Sequence, residues 1–212
     1  MLLTEVFKSL QGEGPSAGRP ATFVRTFGCN LKCAMCDSTY SWQGAPPEQV
    51  SVEQLLQRVK EQGTDLVVVT GGEPLLQSDI VRFLTLLSRD FEVEVETNGT
   101  IGLPFDTGVT RWIISPKLWC FDRYKPIHWK DWKSAPNTFL KFVVSQEDEV
   151  LRALEKVSEY KFPRERVFLM PLGATRAEYL SNAPRVWEWC VKYGVRFSPR
   201  LHIAIFDTKR GV

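Results

Sequence analysis

The chain has 212 residues and a formal net charge of +2, and 43% of its residues are hydrophobic and 25% charged. This composition is typical of one globular domain over residues 1–212, and the small charge argues against nucleic acid as an obligate partner. No apolar run reaches the roughly 18 residues of a membrane helix, and the N-terminus lacks a secretion signal, so we expect a cytoplasmic protein.

The predicted elements alternate between strands and helices along the chain. Ser51 and Gln54 form a capping-box pattern, which begins a helix that ends near Gly63. The β-branched run 66–69 suits a buried parallel strand, and Asn98 with Gly99 forms a turn signal that ends the next strand. Strands are predicted at 6–10, 21–27, 66–69, 91–97, 112–114, 139–144 and 167–170, and further helices at 79–87, 147–160 and 176–193. This order indicates an α/β fold, a mainly parallel sheet with helices outside and ligands at the carboxyl ends of the strands.

A basic and aromatic stretch lies between residues 117 and 133. Three interpretations fit it: a solvated loop, a dimer contact or a nucleic-acid surface, and the net charge favours the first two. Its members are Lys117, Trp119, Arg123, Tyr124, Lys125, Trp129, Lys130, Trp132 and Lys133.

Three of the five cysteines form a C-x3-C-x2-C cluster at Cys29, Cys33 and Cys36. Soft thiolates select zinc, copper(I) or iron–sulfur clusters. A structural zinc site needs four protein ligands, so zinc would require Cys120, Cys190 or a histidine as well. Three cysteines on a cubane cluster, which normally takes four, leave one iron open for a cofactor or substrate. An odd cysteine count with one tight cluster indicates metal binding in a reducing compartment.

This spacing resembles the signature of the radical SAM superfamily. The segment from Thr70 to Pro74, TGGEP, follows the predicted strand 66–69 and is similar to the superfamily's GGE motif, which meets the amino group of S-adenosylmethionine (SAM). The resemblance implies a [4Fe–4S] cluster whose open iron chelates the methionine end of SAM. The reduced cluster then cleaves SAM to methionine and a 5′-deoxyadenosyl radical. Met35 stands where the superfamily usually has an aromatic residue near the adenine.

Further segments resemble the 7-carboxy-7-deazaguanine synthase family. They are Ser9–Gly14 (SLQGEG), Phe23–Arg25 (FVR), Cys36–Ser38 (CDS), Glu96–Gly99 (ETNG), Ser115–Lys117 (SPK) and Pro199–Ile203 (PRLHI). Their joint presence and order are specific, and they cover almost the whole chain. The resemblance implies a modified partial (β/α) barrel of the radical SAM type that works as a homodimer.

The resemblance also implies the reaction and its partners. The family are carbon–nitrogen lyases that convert 6-carboxy-5,6,7,8-tetrahydropterin to 7-carboxy-7-deazaguanine with loss of ammonia, in queuosine biosynthesis. SAM acts as a cofactor, Mg²⁺ assists, and an electron donor such as flavodoxin or ferredoxin reduces the cluster. A glycyl-radical activating enzyme shares the cysteine spacing, and a zinc or iron–sulfur binding module is the non-enzyme alternative.

The resemblance assigns roles to individual residues. Cys29, Cys33 and Cys36 hold the cluster, and Ser38 binds Mg²⁺. The substrate is expected at Leu10, Gln11, Gly12, Arg25, Thr70 and Val212. SAM is expected at Met35, Cys36, Asp37, Gly72, Ser115, Pro116, Lys117, Met170, Pro171, Leu172 and Gly173.

Plainer interpretations of three of these positions stay open. A guanidinium at Arg25 is a planar partner for the substrate carboxylate, but a surface arginine is the alternative. The hydroxyl of Ser38 suits Mg²⁺, but it also suits a helix cap. Val212 contacts the substrate or belongs to a frayed tail. His202, between two apolar residues, is interpreted as structural.

Overall fold

The computed structural model describes residues 1–212, and nine strands run through them. The strands are β1 (Leu2–Leu10), β2 (Pro20–Thr26), β3 (Glu48–Gln49), β4 (Leu66–Gly71), β5 (Glu92–Thr97), β6 (Arg111–Ile114), β7 (Thr138–Val144), β8 (Val167–Pro171) and β9 (Arg196–Phe197). They form one sheet in the order β3-β1-β2-β4-β5-β6-β7-β8-β9. All neighbours from β2 to β9 are parallel, whereas β1 runs antiparallel to β2 and β3. The sheet is open because β3 and β9 are its two edges, and the predicted α/β partial barrel is confirmed.

Six α-helices connect or follow the strands. They are α1 (Val52–Gln62), α2 (Ile80–Leu87), α3 (Pro126–Ser134), α4 (Glu147–Glu159), α5 (Arg176–Tyr193) and α6 (Leu201–Phe206). The predicted capping box is present: the Ser51 side chain accepts from the Gln54 amide and the Gln54 side chain accepts from the Ser51 amide. Gly63 ends α1 with φ +65°, a left-handed conformation that glycine adopts without strain. None of the helices combines the length and apolar composition needed to cross a membrane.

The strand β4 shows why the sheet is buried on both faces. Val67 and Val69 pack with residues of α1 and α2 in one hydrophobic cluster, while Leu66 and Val68 form a smaller cluster with Ala21 on the opposite face. All of these side chains are fully buried. Alternate residues of a strand point to opposite faces, so helices cover one face of β4 and the barrel interior lies on the other. A second large cluster joins β6, β7 and β8 to α3, α4 and α5.

The basic and aromatic stretch between 117 and 133 is mostly helical, and the expectation of a solvated loop is wrong there. Trp129 and Trp132 of α3 are 2% and 1% exposed. Trp129 stacks on Tyr160 with a centroid distance of 5.0 Å, whereas Lys130 and Lys133 are exposed. The tryptophans, three positions apart, therefore face the core, and the basic side chains of the same helix face solvent.

Candidate active site

A cavity of about 580 Å³ lies at the carboxyl ends of the parallel strands. Every residue that the sequence assigns to the cluster, SAM, Mg²⁺ or the substrate lines it, except Pro171 and Gly173. These two alternate with Met170 and Leu172 along the end of β8, which do face the cavity. Period-two alternation explains the difference, since neighbouring residues of an extended chain point to opposite sides.

The cluster cysteines, Cys29, Cys33 and Cys36, follow β2 and face this cavity as free thiols. The backbone amide of Leu31 donates to Cys29 Sγ at 3.4 Å, and Trp42 Nε1 donates to Cys36 Sγ at 3.5 Å. Burial raises the pKa of the Cys29 thiol, and binding of iron would deprotonate it. N–H donors aimed at sulfur are among the features by which proteins tune iron–sulfur clusters.

The donor set fits a multi-iron cluster better than a single ion. Three thiols share one cavity, but no group of three histidine, cysteine or acidic side chains in the chain is placed to hold one metal ion. Ligands of a single zinc ion must meet at about 2.3 Å from it, whereas thiolates of a cubane bind different irons and stand farther apart. The arrangement does not favour the zinc alternative.

The predicted GGE motif lies directly against the cluster loop. A Cβ on Gly72 would lie 2.1 Å from the Gly28 carbonyl oxygen and 3.0 Å from Cys29 Cβ. The amide of Glu73 donates to the same carbonyl at 2.8 Å. Only glycine at position 72 therefore allows the end of β4 to approach the cysteines this closely.

The carboxylate of Glu73 is fully buried and is used inside the protein. It accepts from Thr97 Oγ1 at 2.8 Å and from the amide of Asn98 at 2.7 Å. Burial raises its pKa, and these donors act in the opposite direction. Glu73 thus joins the TGGEP and ETNG segments, which the sequence analysis treated as separate motifs.

The segment Ser115–Lys117 follows β6 at the same end of the sheet. The amide of Ser115 donates to the Thr97 carbonyl at 2.8 Å, and Lys117 Nζ donates to Ser115 Oγ at 3.0 Å. Tyr124 accepts from the amide of Lys117 at 2.8 Å. This segment is fixed by its own contacts, so it forms a firm wall on the side of the cavity assigned to SAM.

Arg25 lies on the cavity wall near the end of β2, and only part of its guanidinium is paired. Its Nε donates to Glu5 Oε1 at 2.7 Å, while the two terminal nitrogens have no hydrogen-bond partner in the chain. Its guanidinium carbon lies 5.6 Å from the centroid of the Tyr40 ring. The ion pair and the ring hold the side chain in place, which leaves the planar pair of terminal N–H groups for an anionic ligand.

Glu13, in the loop after β1, forms a charge network with Lys141 and Glu96 that the sequence does not predict. Lys141 Nζ lies 2.6 Å from Glu13 Oε2 and 3.4 Å from Glu96 Oε1, and Arg200 Nε lies 3.1 Å from Glu13 Oε1. Burial alone raises the pKa of Glu13, but Lys141 and Arg200 outweigh it and hold the pKa far below its ordinary value. Burial lowers the pKa of Lys141, and the two glutamates outweigh that effect and raise it. Glu13 and Lys141 are therefore both charged at neutral pH.

Gln11 and Gly12 lie at the cavity in the loop after β1, but the Gln11 side chain is used within the protein. Its Nε2 donates to Glu94 Oε1 at 2.8 Å and to Glu96 Oε1 at 3.2 Å. Its Oε1 accepts from the amide of Glu13 at 3.1 Å. Gly12 fits closely against His202, since a Cβ there would lie 2.6 Å from His202 Nδ1.

His202, which the sequence analysis interpreted as structural, packs against Gly12 and also lines the cavity. Its Nε2 lies 3.9 Å from Glu13 Oε1, and burial lowers its pKa. An imidazole kept neutral in this way can accept or donate a hydrogen bond at the cavity wall.

Ser38 and the C-terminal residues close the remaining sides of the cavity. Ser38 Oγ makes no capping hydrogen bond to the 3₁₀ helix Thr39–Ser41 and lies 3.8 Å from Cys36 Sγ, so the helix-cap interpretation has no support. Thr70 Oγ1 donates to Glu96 Oε2 at 3.1 Å. Val212 lines the cavity, and the Arg210 guanidinium lies 3.8 Å from the Tyr40 ring centroid. The tail is therefore placed beside the Arg25 site.

Comparison with known proteins places this site in a family. The family model described as “Radical SAM superfamily” matches residues 23–178. The chain is 38% identical over 212 residues to the 7-carboxy-7-deazaguanine synthase of Pyrobaculum aerophilum, covering 98% of this chain and 95% of the relative. It is 37% identical to the enzyme of the same name from Hyperthermus butylicus, covering 96% and 92%. The crystal structure of QueE from Escherichia coli has the same fold, with a TM-score of 0.77, 24% identity and coverage of 95% and 94%.

Proposed function

The chain belongs to the radical SAM superfamily and, within it, to the 7-carboxy-7-deazaguanine synthase family. We propose how the residues of its cavity carry out the reaction of that family. The substrate we infer is 6-carboxy-5,6,7,8-tetrahydropterin, and the product is 7-carboxy-7-deazaguanine, formed with loss of ammonia. The observation that carries this proposal is that one cavity is lined by the three cluster cysteines and by Arg25, whose side chain is held in place by Glu5. We also propose that residues 1–212 work as one functional unit.

The enzyme uses a [4Fe–4S] cluster and SAM, as its superfamily does. Cys29, Cys33 and Cys36 would hold the cluster, and the cluster together with bound SAM would supply the radical chemistry that removes hydrogen from the substrate. We propose that the SAM side of the cavity is the wall made by Gly72, the Ser115–Lys117 segment, Met170 and Leu172. The contacts of these residues with the protein keep that wall in place before SAM arrives.

We propose that Arg25 binds the substrate carboxylate through its two terminal nitrogens. Glu5 already neutralises part of its charge at Nε, so the free edge of the fork sets the direction of the carboxylate. Bidentate pairing fixes orientation as well as position. That orientation is needed because hydrogen abstraction depends on the placement of the reacting C–H bond.

We propose that Glu13 and Glu96 face the guanidine-like edge of the pterin. Both carboxylates line the cavity, and Lys141 pairs with each of them. An ionised carboxylate only accepts hydrogen bonds, and the pterin edge presents N–H donors. Gln11 holds the Glu96 carboxylate and the backbone amide of Glu13, while Leu10, Gly12 and Thr70 complete the surface around the substrate.

We propose that Ser38 is the protein ligand of Mg²⁺. Its hydroxyl makes no helix-capping hydrogen bond and lies beside Cys36, the last cluster cysteine. Mg²⁺ keeps most of its waters and takes few protein ligands, so one hydroxyl together with substrate oxygens suffices to hold it. The C-terminal carboxylate of Val212 is proposed to accept a hydrogen bond from the substrate.

We propose that a small redox protein such as flavodoxin or ferredoxin reduces the cluster and that two chains form a homodimer. Leu180, Trp187 and Val191 of α5 are 53%, 61% and 74% exposed. Their spacing puts them on one helix face, and this apolar face supports the pairing of two copies.

All five cysteines are free, which supports the proposal that the protein works in a reducing compartment, the cytoplasm.

A comparison of two substrates tests the proposed reaction. The anaerobically reconstituted enzyme, with SAM and a chemical reductant, is given either the 6-carboxy tetrahydropterin or the same pterin without its carboxylate. Turnover of the carboxylated compound alone supports the proposal. Equal turnover of both compounds would contradict the role of Arg25, and no turnover of either would contradict the proposed substrate.

A further inference from the structure

Arg200 lies in the terminal PRLHI segment and has no role in the reaction described so far. It precedes α6 and is 2% exposed, so its charge is removed from solvent. Its three guanidinium nitrogens each donate to a different loop: Nε to Glu13 Oε1 at 3.1 Å, Nη1 to the carbonyl of Gly173 and Nη2 to the carboxylate of Asp37. A single side chain therefore joins three loops around the cavity.

The partners of Arg200 belong to the two halves of the proposed site. Glu13 lies in the loop after β1, on the substrate side, and Lys141 holds its other oxygen. Asp37 directly follows the last cluster cysteine, on the SAM side, and its carboxylate has no other hydrogen-bond partner in the chain. The Gly173 carbonyl follows the strand whose end forms part of the SAM wall. Arg200 is thus the direct hydrogen-bonded connection between Glu13 and Asp37.

The chemistry of arginine makes this connection stiff. Its guanidinium is planar, and its donors have fixed relative directions. Because the group is buried, a displacement that breaks one of its bonds leaves a charged donor without water to replace the lost partner. A shift of the Asp37 loop is therefore transmitted to Glu13 more readily than it would be across a flexible or hydrated contact.

We propose that Arg200 is a positioning residue that couples substrate binding to SAM binding. This inference rests on the proposed function, because it assigns the Asp37 loop to SAM and Glu13 to the pterin. SAM fixes the Asp37 loop, Arg200 carries that order to Glu13, and the substrate then finds its acceptor already placed. Arg200 lines the cavity, but we assign it a positioning role because each of its three guanidinium nitrogens donates to a protein loop.

A binding cycle without turnover tests the coupling. The reconstituted enzyme is kept anaerobic and without reductant, and calorimetry measures the Kd of 6-carboxytetrahydropterin with and without saturating SAM. Allosteric coupling is typically about 5–150-fold and is equal in both directions, so the wild-type Kd should fall at least about fivefold with SAM. In Arg200→Gln the ratio of the two Kd values should approach one.

Arg166→Lys is the matched control. Arg166 also holds loop carbonyls through its guanidinium, those of Lys133 and Ala135, but it does not line the cavity. This variant should keep the wild-type ratio. A merely structural Arg200 would lower stability and weaken both ligands in proportion, leaving the ratio unchanged, and that result would overturn the inference.

Arg200→Lys keeps the test decisive if Arg200→Gln does not fold or does not take up iron. Lysine retains the charge but lacks the planar fork, so the ratio should still fall below half of the wild-type value. A wild-type ratio of one, or an unchanged ratio in either folded variant, refutes the coupling while the proposed function stands. Wild-type enzyme that binds SAM but no pterin would contradict the proposed function, and with it this inference.

Discussion

Replacing Gly72 by alanine tests whether close packing of the TGGEP segment on the cluster loop is essential. The new Cβ would lie 2.1 Å from the Gly28 carbonyl oxygen, roughly 1.3 Å short of an ordinary contact of 3.4 Å. Both groups are backbone, so no side chain can move aside. Overpacking of this kind typically costs about 1–3 kcal/mol. For a chain of this size, that loss lowers Tm by roughly 2–12 °C.

The effect on the site should exceed the effect on stability. The end of β4 and the loop of Cys29 must separate by about an ångström, and a misplacement of that size near reacting groups can reduce the rate about 100-fold. We expect lower iron content, weaker SAM binding by calorimetry and a lower Tm by differential scanning calorimetry. Gly102→Ala is the control, because its Cβ would meet nothing within 4 Å. If Gly72→Ala matches Gly102→Ala in iron content and SAM affinity, the packing argument is refuted.

The remaining predictions concern the cluster, the two ligand sites and acid stability. Changing any of the cluster cysteines to alanine should abolish SAM cleavage, whereas Cys190→Ser should keep the full iron content by chemical analysis; loss of iron in the serine variant would contradict three-cysteine ligation. Arg25→Lys should weaken pterin binding at least about tenfold, because a charge-assisted hydrogen bond is worth about 1.5–3 kcal/mol. The Kd of SAM, measured in parallel, should hardly change. Equal pterin affinity in the variant and the wild type would contradict the binding of the substrate carboxylate by Arg25. Ser38→Ala should lose the stimulation of turnover by Mg²⁺ and Ser38→Thr should keep much of it, and an unchanged Mg²⁺ titration in the alanine variant would exclude this ligand. Because the pKa of Glu13 is lowered in the folded state, the carboxylate stabilises the fold above pH 4.5, and this stabilisation is lost as pH falls below that value. Between about pH 5 and 3, the free energy of unfolding in urea should therefore fall less for Glu13→Gln than for wild type. If the free energies of both proteins fall in parallel with pH, Glu13 does not contribute.

The motifs of the site could be predicted because each is local in sequence. The cysteine spacing, the TGGEP segment and Ser115–Lys117 were identified separately, and the parallel sheet predicts that they meet, since the carboxyl ends of its strands lie at one edge. The helix α1 was predicted for a similar reason: its capping residues and its terminal glycine are encoded within a few positions. Period-two alternation at the end of β8 also predicts that Met170 and Leu172 face the cavity and that Pro171 and Gly173 face away from it.

The buried charges could not be paired from the sequence. Glu13 and Lys141 are 128 residues apart, and Glu13 and Arg200 are 187 residues apart, so no local pattern connects them. One signal was available: Lys141 lies inside the apolar strand β7, and a lysine in such a strand is rarely buried unless it is paired. The helix α3 was missed because its basic residues conceal the apolar face made by Trp129 and Trp132.

Product analysis after anaerobic turnover tests the central claim most directly. The reconstituted enzyme is incubated with SAM, reductant, Mg²⁺ and 6-carboxytetrahydropterin, and the mixture is examined by mass spectrometry and an ammonia assay, with Cys33→Ala as the inactive control. The account predicts 7-carboxy-7-deazaguanine and ammonia in equal amounts, with SAM regenerated and neither product formed by the control. Steady consumption of SAM to 5′-deoxyadenosine while the pterin stays unchanged would contradict it.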